Sequence, residues 1–165
     1  MQHVERILVA TDFSPCAERA VEVAVALAQQ WASQLTLLHV IAPTLFARAE
    51  KERERAGDAA YRQNALDHAR EQLADEEHEA SVAGLQTHAV VCEGHPAWEI
   101  ARLARELPAD LVVLGAQGRG GLSSQLLGSV AGGVIRNLEV PTLVVPMPRE
   151  GRQGVDPTSG WTVPF

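Results

Sequence analysis

The sequence predicts an α/β protein built on a five-stranded parallel sheet with helices on both faces. Three observations predict it. Short apolar runs alternate with longer segments of helical spacing in the order β-α-β-α-β-α-β-α-β, and such alternation implies parallel crossover units. Hydrophobic residues make up 46% of the chain but aromatics only 4%, so Ala, Val and Leu must fill the core, as in sheets flanked by helices. A glycine-rich stretch, Gly115 to Val130 (GAQGRGGLSSQLLGSV), connects an apolar run to a helical one. Such a connection lets a ligand approach the backbone.

Each element has its own justification. Ile7 to Ala10 (ILVA) is an apolar run of the kind buried on both faces. Ser14 is a good N-cap and Pro15 suits the first helical position, so a helix runs from about Pro15 to Trp31. Ala20, Val21, Ala24, Leu27, Ala28 and Trp31 form its inner face. Leu35 to Ile41 (LTLLHVI) is the second strand, ended by Pro43. Lys51 to about Glu79 is rich in Ala, Glu and Arg and favours helix. Tyr61, Ala65, His68 or Ala69, and Leu73 supply a thin inner stripe, while Asp75-Glu76-Glu77 reads as a solvated face. Gly84 breaks the helix.

Leu85 to Cys92 is the third strand, and Gly94-His95-Pro96 turns into a third helix. Trp98, Ile100, Ala101, Leu103 and Ala104 give that helix its apolar side. Leu111 to Leu114 is the fourth strand, Ser129 to Leu138 the fourth helix, and Val140 to Val145 the fifth strand. Ligands of such sheets bind beyond the carboxyl ends of the strands, where the winding reverses. Asp12 and the glycine stretch therefore share one rim.

Composition narrows the function classes. At 165 residues one domain is the natural reading, able to bury roughly 70% of its unfolded surface. A formal net charge of −7 argues against general nucleic-acid binding, which wants a basic face. Cys16 and Cys92 make no disulfide framework and fit a reducing compartment. Nothing resembles a signal peptide or a membrane span, so the expectation is a cytoplasmic protein with no membrane partner. Residues 1–147 read as the folded domain. Residues 148–165, rich in Pro, Gly, Ser and Arg, read as a mobile tail with an oddly apolar end, Trp161 to Phe165.

The glycine spacing is informative. Gly115-x-x-Gly118 is followed by nine residues and then Gly128-Ser129. No Gly-Lys-Ser/Thr follows, so this is not a P-loop, and the Gly-x-Gly-x-x-Gly of dinucleotide folds belongs after a first strand. Taken alone, the stretch reads either as a phosphate-binding connection at a helix start or as a surface loop rich in glycine.

The stretch resembles the ATP-binding signature of the universal stress protein family, G-x2-G-x9-G-[ST], at every fixed position. Further motifs are similar to that family: Ala10-Thr11-Asp12-Phe13-Ser14, Leu38-His39-Val40, Glu93-Gly94-His95-Pro96-Ala97, Ala109 to Gly115, and Val140 to Pro146. The resemblance covers about Glu5 to Pro146. It implies a Rossmann-like, adenine-nucleotide alpha hydrolase-like domain with strand order 3-2-1-4-5. It implies ATP as the ligand, with Mg or Mn carried mainly by the phosphates and Asp12 nearby. Ala10 and Asp12 would flank the nucleoside, with Thr11 between them among the binding residues, and Val40 would meet the adenine through its backbone. Gly115 and Gly118 would let the chain close over ribose and phosphates, with Arg119 beside them among the binding residues. Gly128, Ser129 and Val130 would offer N–H groups to the phosphates. It also implies a homodimer through the fifth strand, Val140 to Val145, and a role in stress response through dimer and protein-partner contacts. Gln117 stands where many members carry His, and Val140 replaces a common Cys.

Several residues keep two readings. Asp12 is either a ligand contact or an acidic residue at a helix start. Arg119 faces phosphate or solvent. Cys16 is a buried small side chain or a thiol activated by the helix dipole. His39 reads as a satisfied strand residue, while His95 lies on the rim. Ser123 and Ser124 lie in the glycine loop as candidate phosphorylation sites. No residue has a clear claim as general base, so ATP hydrolysis is expected to be slow or absent. The rival readings are an adaptor whose glycine loop stays empty and a slow ATPase. A receiver domain is set aside, since no Asp follows the third strand and no Lys follows the fifth.

Overall fold

A computed structural model of the chain describes residues 3–42, 58–118 and 127–147. Five strands form one sheet: β1 (Arg6–Thr11), β2 (Gln34–Ile41), β3 (Thr87–Glu93), β4 (Leu111–Gly115) and β5 (Thr142–Val145). Their order is β3-β2-β1-β4-β5, and every pairing is parallel. The chain winds outward from β1 through β2 to β3, then crosses back to β4 and β5. The winding therefore reverses between β1 and β4.

Period-two alternation divides the side chains between two layers. Ile7, Val9, Leu35, Leu37 and Val113 point to one face, against α1 (Pro15–Trp31) and α2 (Asp58–Val82). Leu8, Leu38, Val112 and Leu114 point to the other, against α3 (Pro96–Glu106) and α4 (Ser129–Asn137). Small residues set the separation. Ala20, Ala24 and Ala28 line the buried stripe of α1. At the α3–α4 crossing, a Cβ added to Gly133 would stand 2.7 Å from the Ala97 Cβ.

Helix α1 begins as its sequence indicates. Ser14 Oγ accepts from Ala17 N–H at 3.3 Å, and Pro15 opens the first turn. The helix ends on Ala32 in the left-handed conformation, φ 55° and ψ 37°, with Ser33 N–H closing back on Ala28 O at 2.9 Å. Gly84, at φ 87°, follows α2. Leu85 N–H bonds back to Ala80 O, so β3 starts at Thr87 instead of Leu85. Strand β5 starts at Thr142 instead of Val140, because Pro141 has no N–H to give the ladder. Its carbonyl still accepts from Val112 N–H.

Two expectations about burial are corrected. Trp98 is 69% exposed and does not belong to the inner side of α3. That side is Ala97, Ile100, Ala101, Leu103 and Ala104. Trp98 lies about 100° around the helix from Ala97, with its ring 6.0 Å from that of His95. The run Asp75-Glu76-Glu77 is not wholly solvated. Glu76 falls at helical spacing with buried Ala69, Leu73 and Ala80 and turns towards the sheet. The helical bounds Lys51 to Glu79 become Asp58–Val82 among the described residues, with 51–57 outside them. The inner stripe uses Ala69, and His68 is exposed. Among the described residues, no helix is long and apolar enough to cross a membrane.

The Ala32 cap generates a stability prediction. Left-handed backbone costs an L-residue about 1–2 kcal/mol, and glycine returns about 0.4–1 kcal/mol of that through unfolded-state entropy. Ala32→Gly is expected to raise the unfolding free energy by roughly 0.5 kcal/mol. A urea midpoint below that of the wild type would contradict the cap geometry.

Candidate functional site at the carboxyl rim of the sheet

The rim is assembled from the residues after β1, β3 and β4 and from the start of α4. After β1, the chain turns through Thr11-Asp12-Phe13-Ser14. Asp12 Oδ1 accepts from Ser14 N–H at 3.1 Å, and Thr11 Oγ1 accepts from Phe13 N–H at 3.1 Å. Both are short polar side chains bonding the backbone two residues on, which is how Asp and Thr tighten turns. Phe13 pays with a left-handed backbone, φ 59°. Its ring stacks on His39, with centroids 4.4 Å apart.

Strand β4 delivers the glycine stretch to the same place. Gly115 ends the strand against the first turn of α1, where an added Cβ would lie 3.0 Å from the Cys16 backbone and Sγ. Gly118 faces Asp12, and a Cβ there would stand 2.6 Å from Asp12 Oδ2. Two backbone bonds hold the base of the loop. Ala116 N–H donates to Val145 O at 2.8 Å, and Gly128 N–H donates to Ala116 O at 2.7 Å. The N–H of Gly128 is thus engaged within the loop base. The first bond of α4 runs from Gly132 N–H to Gly128 O at 2.9 Å. Ser129, Val130 and Ala131 precede it, so their N–H groups are the ones a helix start directs outward.

Ala10 and Val40 are half-buried and pack against the α3–α4 layer together with Val90 and Cys92. They form an apolar shelf on that face of the sheet, near the carboxyl ends of β1, β2 and β3. The rim after β3 is polar. Gly94 N–H bonds Ile41 O at 3.1 Å, and Glu93 meets Arg62 Nη2 at 2.5 Å. His95 is exposed and serves as the N-cap position of α3.

Asp12 and Gly118 meet at the carboxyl edge, Gly128 packs beside Ala116 and Gly118, and Ala10 and Val40 lie near the carboxyl ends of β1 and β2. Thr11 is buried, with its hydroxyl on the α1–α2 side of the sheet. Gly115 touches α1. Arg119, Ser123, Ser124 and residues 148–165 lie outside the described residues.

The thiols read as structural. Cys16 is buried, with Sγ donating to Val145 O at 3.4 Å. Burial, with the charge of Glu99 adding to it, pushes the Cys92 thiol up to about 11. It stays protonated at neutral pH and makes a poor nucleophile. Among the described residues no three His, Cys, Asp or Glu side chains cluster as a metal site.

One residue of this region was missed. Glu76 of α2 reaches the turn after β1 from the opposite face, with Oε1 3.5 Å from Thr11 Oγ1. Its Oε2 is sequestered from solvent and has no hydrogen-bond partner among the described residues. Burial is the main cause that raises this carboxyl from 4.5 to about 7, opposed by the Thr11 hydrogen bond and supported by the charges of Glu18 and Glu79. The signal in the sequence was its spacing, three residues after Leu73 and four before Ala80.

Fold and rim together define a doubly wound α/β protein whose sheet brings Gly115, Gly118 and the start of α4 to its carboxyl edge. The chain belongs to the universal stress protein family, whose model matches residues 3–146. It is 34% identical over 149 residues to universal stress protein Sll1388 of Synechocystis, covering 85% of this chain and 96% of that one. Among solved structures it is similar to MJ0577 of Methanocaldococcus jannaschii, with a TM-score of 0.79 and 27% identity over 90% of this chain and 99% of that one. A universal stress protein in complex with cAMP gives a TM-score of 0.64 at 26% identity, covering 88% and 98%. The strand order implied by the resemblance is the order observed.

Proposed function

We propose that this chain binds an adenine nucleotide, ATP with Mg or Mn, across the rim between Asp12 and the start of α4, and that it acts in stress response as a dimeric nucleotide sensor. The observation that carries the reading is the approach of Gly118 to the Asp12 carboxylate, 2.6 Å from an imagined Cβ. Only a residue without a side chain leaves that edge open to a ligand. Ala10 and Val40 offer an apolar shelf suited to a base. The N–H groups at the α4 start, with the positive end of its dipole, suit phosphate. Ser129 is exposed there and adds a hydroxyl, and Val130 follows it. The metal would ride on the phosphates, as Mg²⁺ usually does, with Asp12 the carboxylate at hand. A similar fold carrying cAMP supports the class of ligand.

The dimer reading has its own support. Strand β5 lies at the edge of the sheet, and Thr142, Leu143 and Val144 are only partly buried. Pairing with a second copy would cover that edge. Leu143→Asp is expected to give monomers in sedimentation, and an unchanged dimer would remove this part of the proposal.

Native mass spectrometry of the purified chain, with and without Mg-ATP, tests both parts together. The expected species is a dimer with one nucleotide per subunit. A dimer that stays empty at about millimolar ATP would overturn the nucleotide reading. Gly118→Val forces a side chain onto the Asp12 carboxylate and should weaken Mg-ATP binding by about tenfold or more, at least about 1.4 kcal/mol. Gly118 is exposed and Asp12 Oδ2 is the far end of its side chain, so the melting temperature should fall only slightly. Unchanged calorimetric affinity would separate Gly118 from the ligand.

A further inference from the structure

The Thr11-Asp12-Phe13-Ser14 turn is held from below as well as from within. Phe13 sits in strained left-handed backbone, φ 59°, of the kind that persists only where neighbours over-determine it. One of its restraints is the Thr11 hydroxyl, whose oxygen accepts from Phe13 N–H. That oxygen has one hydrogen to give, and it points towards Glu76 Oε1 at 3.5 Å. A second restraint is His39, whose ring stacks on Phe13 while its Nδ1 lies 2.8 Å from Thr11 O. A carbonyl only accepts, so Nδ1 carries the hydrogen. The same turn presents Asp12 to Gly118.

We infer that Glu76 is a positioning residue for the Asp12 turn, acting through the Thr11 hydroxyl, and that its carboxyl proton makes the grip of the rim on a nucleotide sensitive to pH. The nucleotide part rests on the binding proposed above, whereas the proton is a property of the chain itself.

Glu18 of α1 and Glu79 of α2 both disfavour the Glu76 anion. From β1 the partner is the neutral Thr11 hydroxyl, and from β2 the nearby titratable group is His39. Glu93 at the end of β3 is paired with Arg62. Protonated, Glu76 stays against the sheet and the Thr11 hydroxyl remains anchored. Ionised, its sequestered oxygen has to find water, which draws the carboxylate away from Thr11 and removes one restraint on the Phe13 turn. Asp12 is then held less firmly, by its bond to Ser14 N–H and by the Phe13–His39 stack.

The sign follows from linkage. The folded chain keeps this proton up to about 7, whereas an unfolded chain releases it near 4.5. The stabilising contribution is therefore complete below the lower value and is lost as pH rises through the upper one. A histidine that resisted protonation would give the opposite slope, and the difference between wild type and Glu76→Gln assigns the slope to Glu76.

Three measurements on the full chain test the inference. Carbon-13 NMR of the Glu76 carboxyl in the ligand-free wild type should titrate with a midpoint about 7, and a midpoint near 4.5 would overturn it. Urea unfolding from about pH 5 to about pH 8 should show wild-type stability falling, with a flatter profile for Glu76→Gln. Parallel profiles would overturn it. Calorimetry with Mg-ATP at about pH 6 and about pH 8 should show the wild type weakening about threefold or more relative to Glu76→Gln, since the nucleotide's own titration is common to both. An equal response in the two proteins would overturn the positioning role. Absence of Mg-ATP binding in both proteins at both pH values would overturn the nucleotide reading and the affinity claim with it, and the NMR and urea results would still decide the proton. Should Glu76→Gln fail to fold, the NMR midpoint of the wild type decides that point alone.

Discussion

The structure depends on how closely backbone can approach backbone. With aromatics at 4% of the chain, the layers cannot be spaced by large rings and are brought together by residues with little or no side chain. Ala20, Ala24 and Ala28 let α1 lie on β1. Gly133 admits α3 against α4 at Ala97, and Gly115 admits the start of α1 against the end of β4. Packing at native density has no slack for an added methyl group at such points. The rim is a product of this closeness. Were α1 held farther from β4, Asp12 and Gly118 would not meet.

The polar turn after β1 is therefore more than a connection. It joins both faces of the sheet. Asp12 looks to the glycine loop, Thr11 looks to α2, and the strained Phe13 lies between them. The Ser14 cap fixes where α1 starts. A short stretch thereby sets the start of a helix, the position of an acidic side chain and a contact with a distant helix.

The sequence revealed most of this because two periods dominate it. Strands buried on both faces announce themselves as unbroken apolar runs, and Ser14-Pro15 marks a helix start through local chemistry alone. Chain order then placed Asp12 beside the glycine stretch without any coordinate. What escaped depends on rotation about an axis. Trp98 and Ala97 are neighbours in sequence, yet the crossing at Gly133 admits only the smaller one. Glu76 was read with its acidic neighbours, although Ala69, Leu73 and Ala80 share its stripe. Charge runs suggest solvent, but helical phase decides burial. The engagement of Gly128 N–H with Ala116 O was also illegible, because it requires the two ends of the loop to be brought together in space.

The carbonyl of Val145 joins three elements. It accepts from Ala116 N–H at the loop base and from Cys16 Sγ in the first turn of α1, while its own strand forms the border of the sheet. Border and rim thus share a single pivot. One peptide group at the edge of the sheet is thereby held from two sides, by the chain leaving β4 and by the first turn of α1.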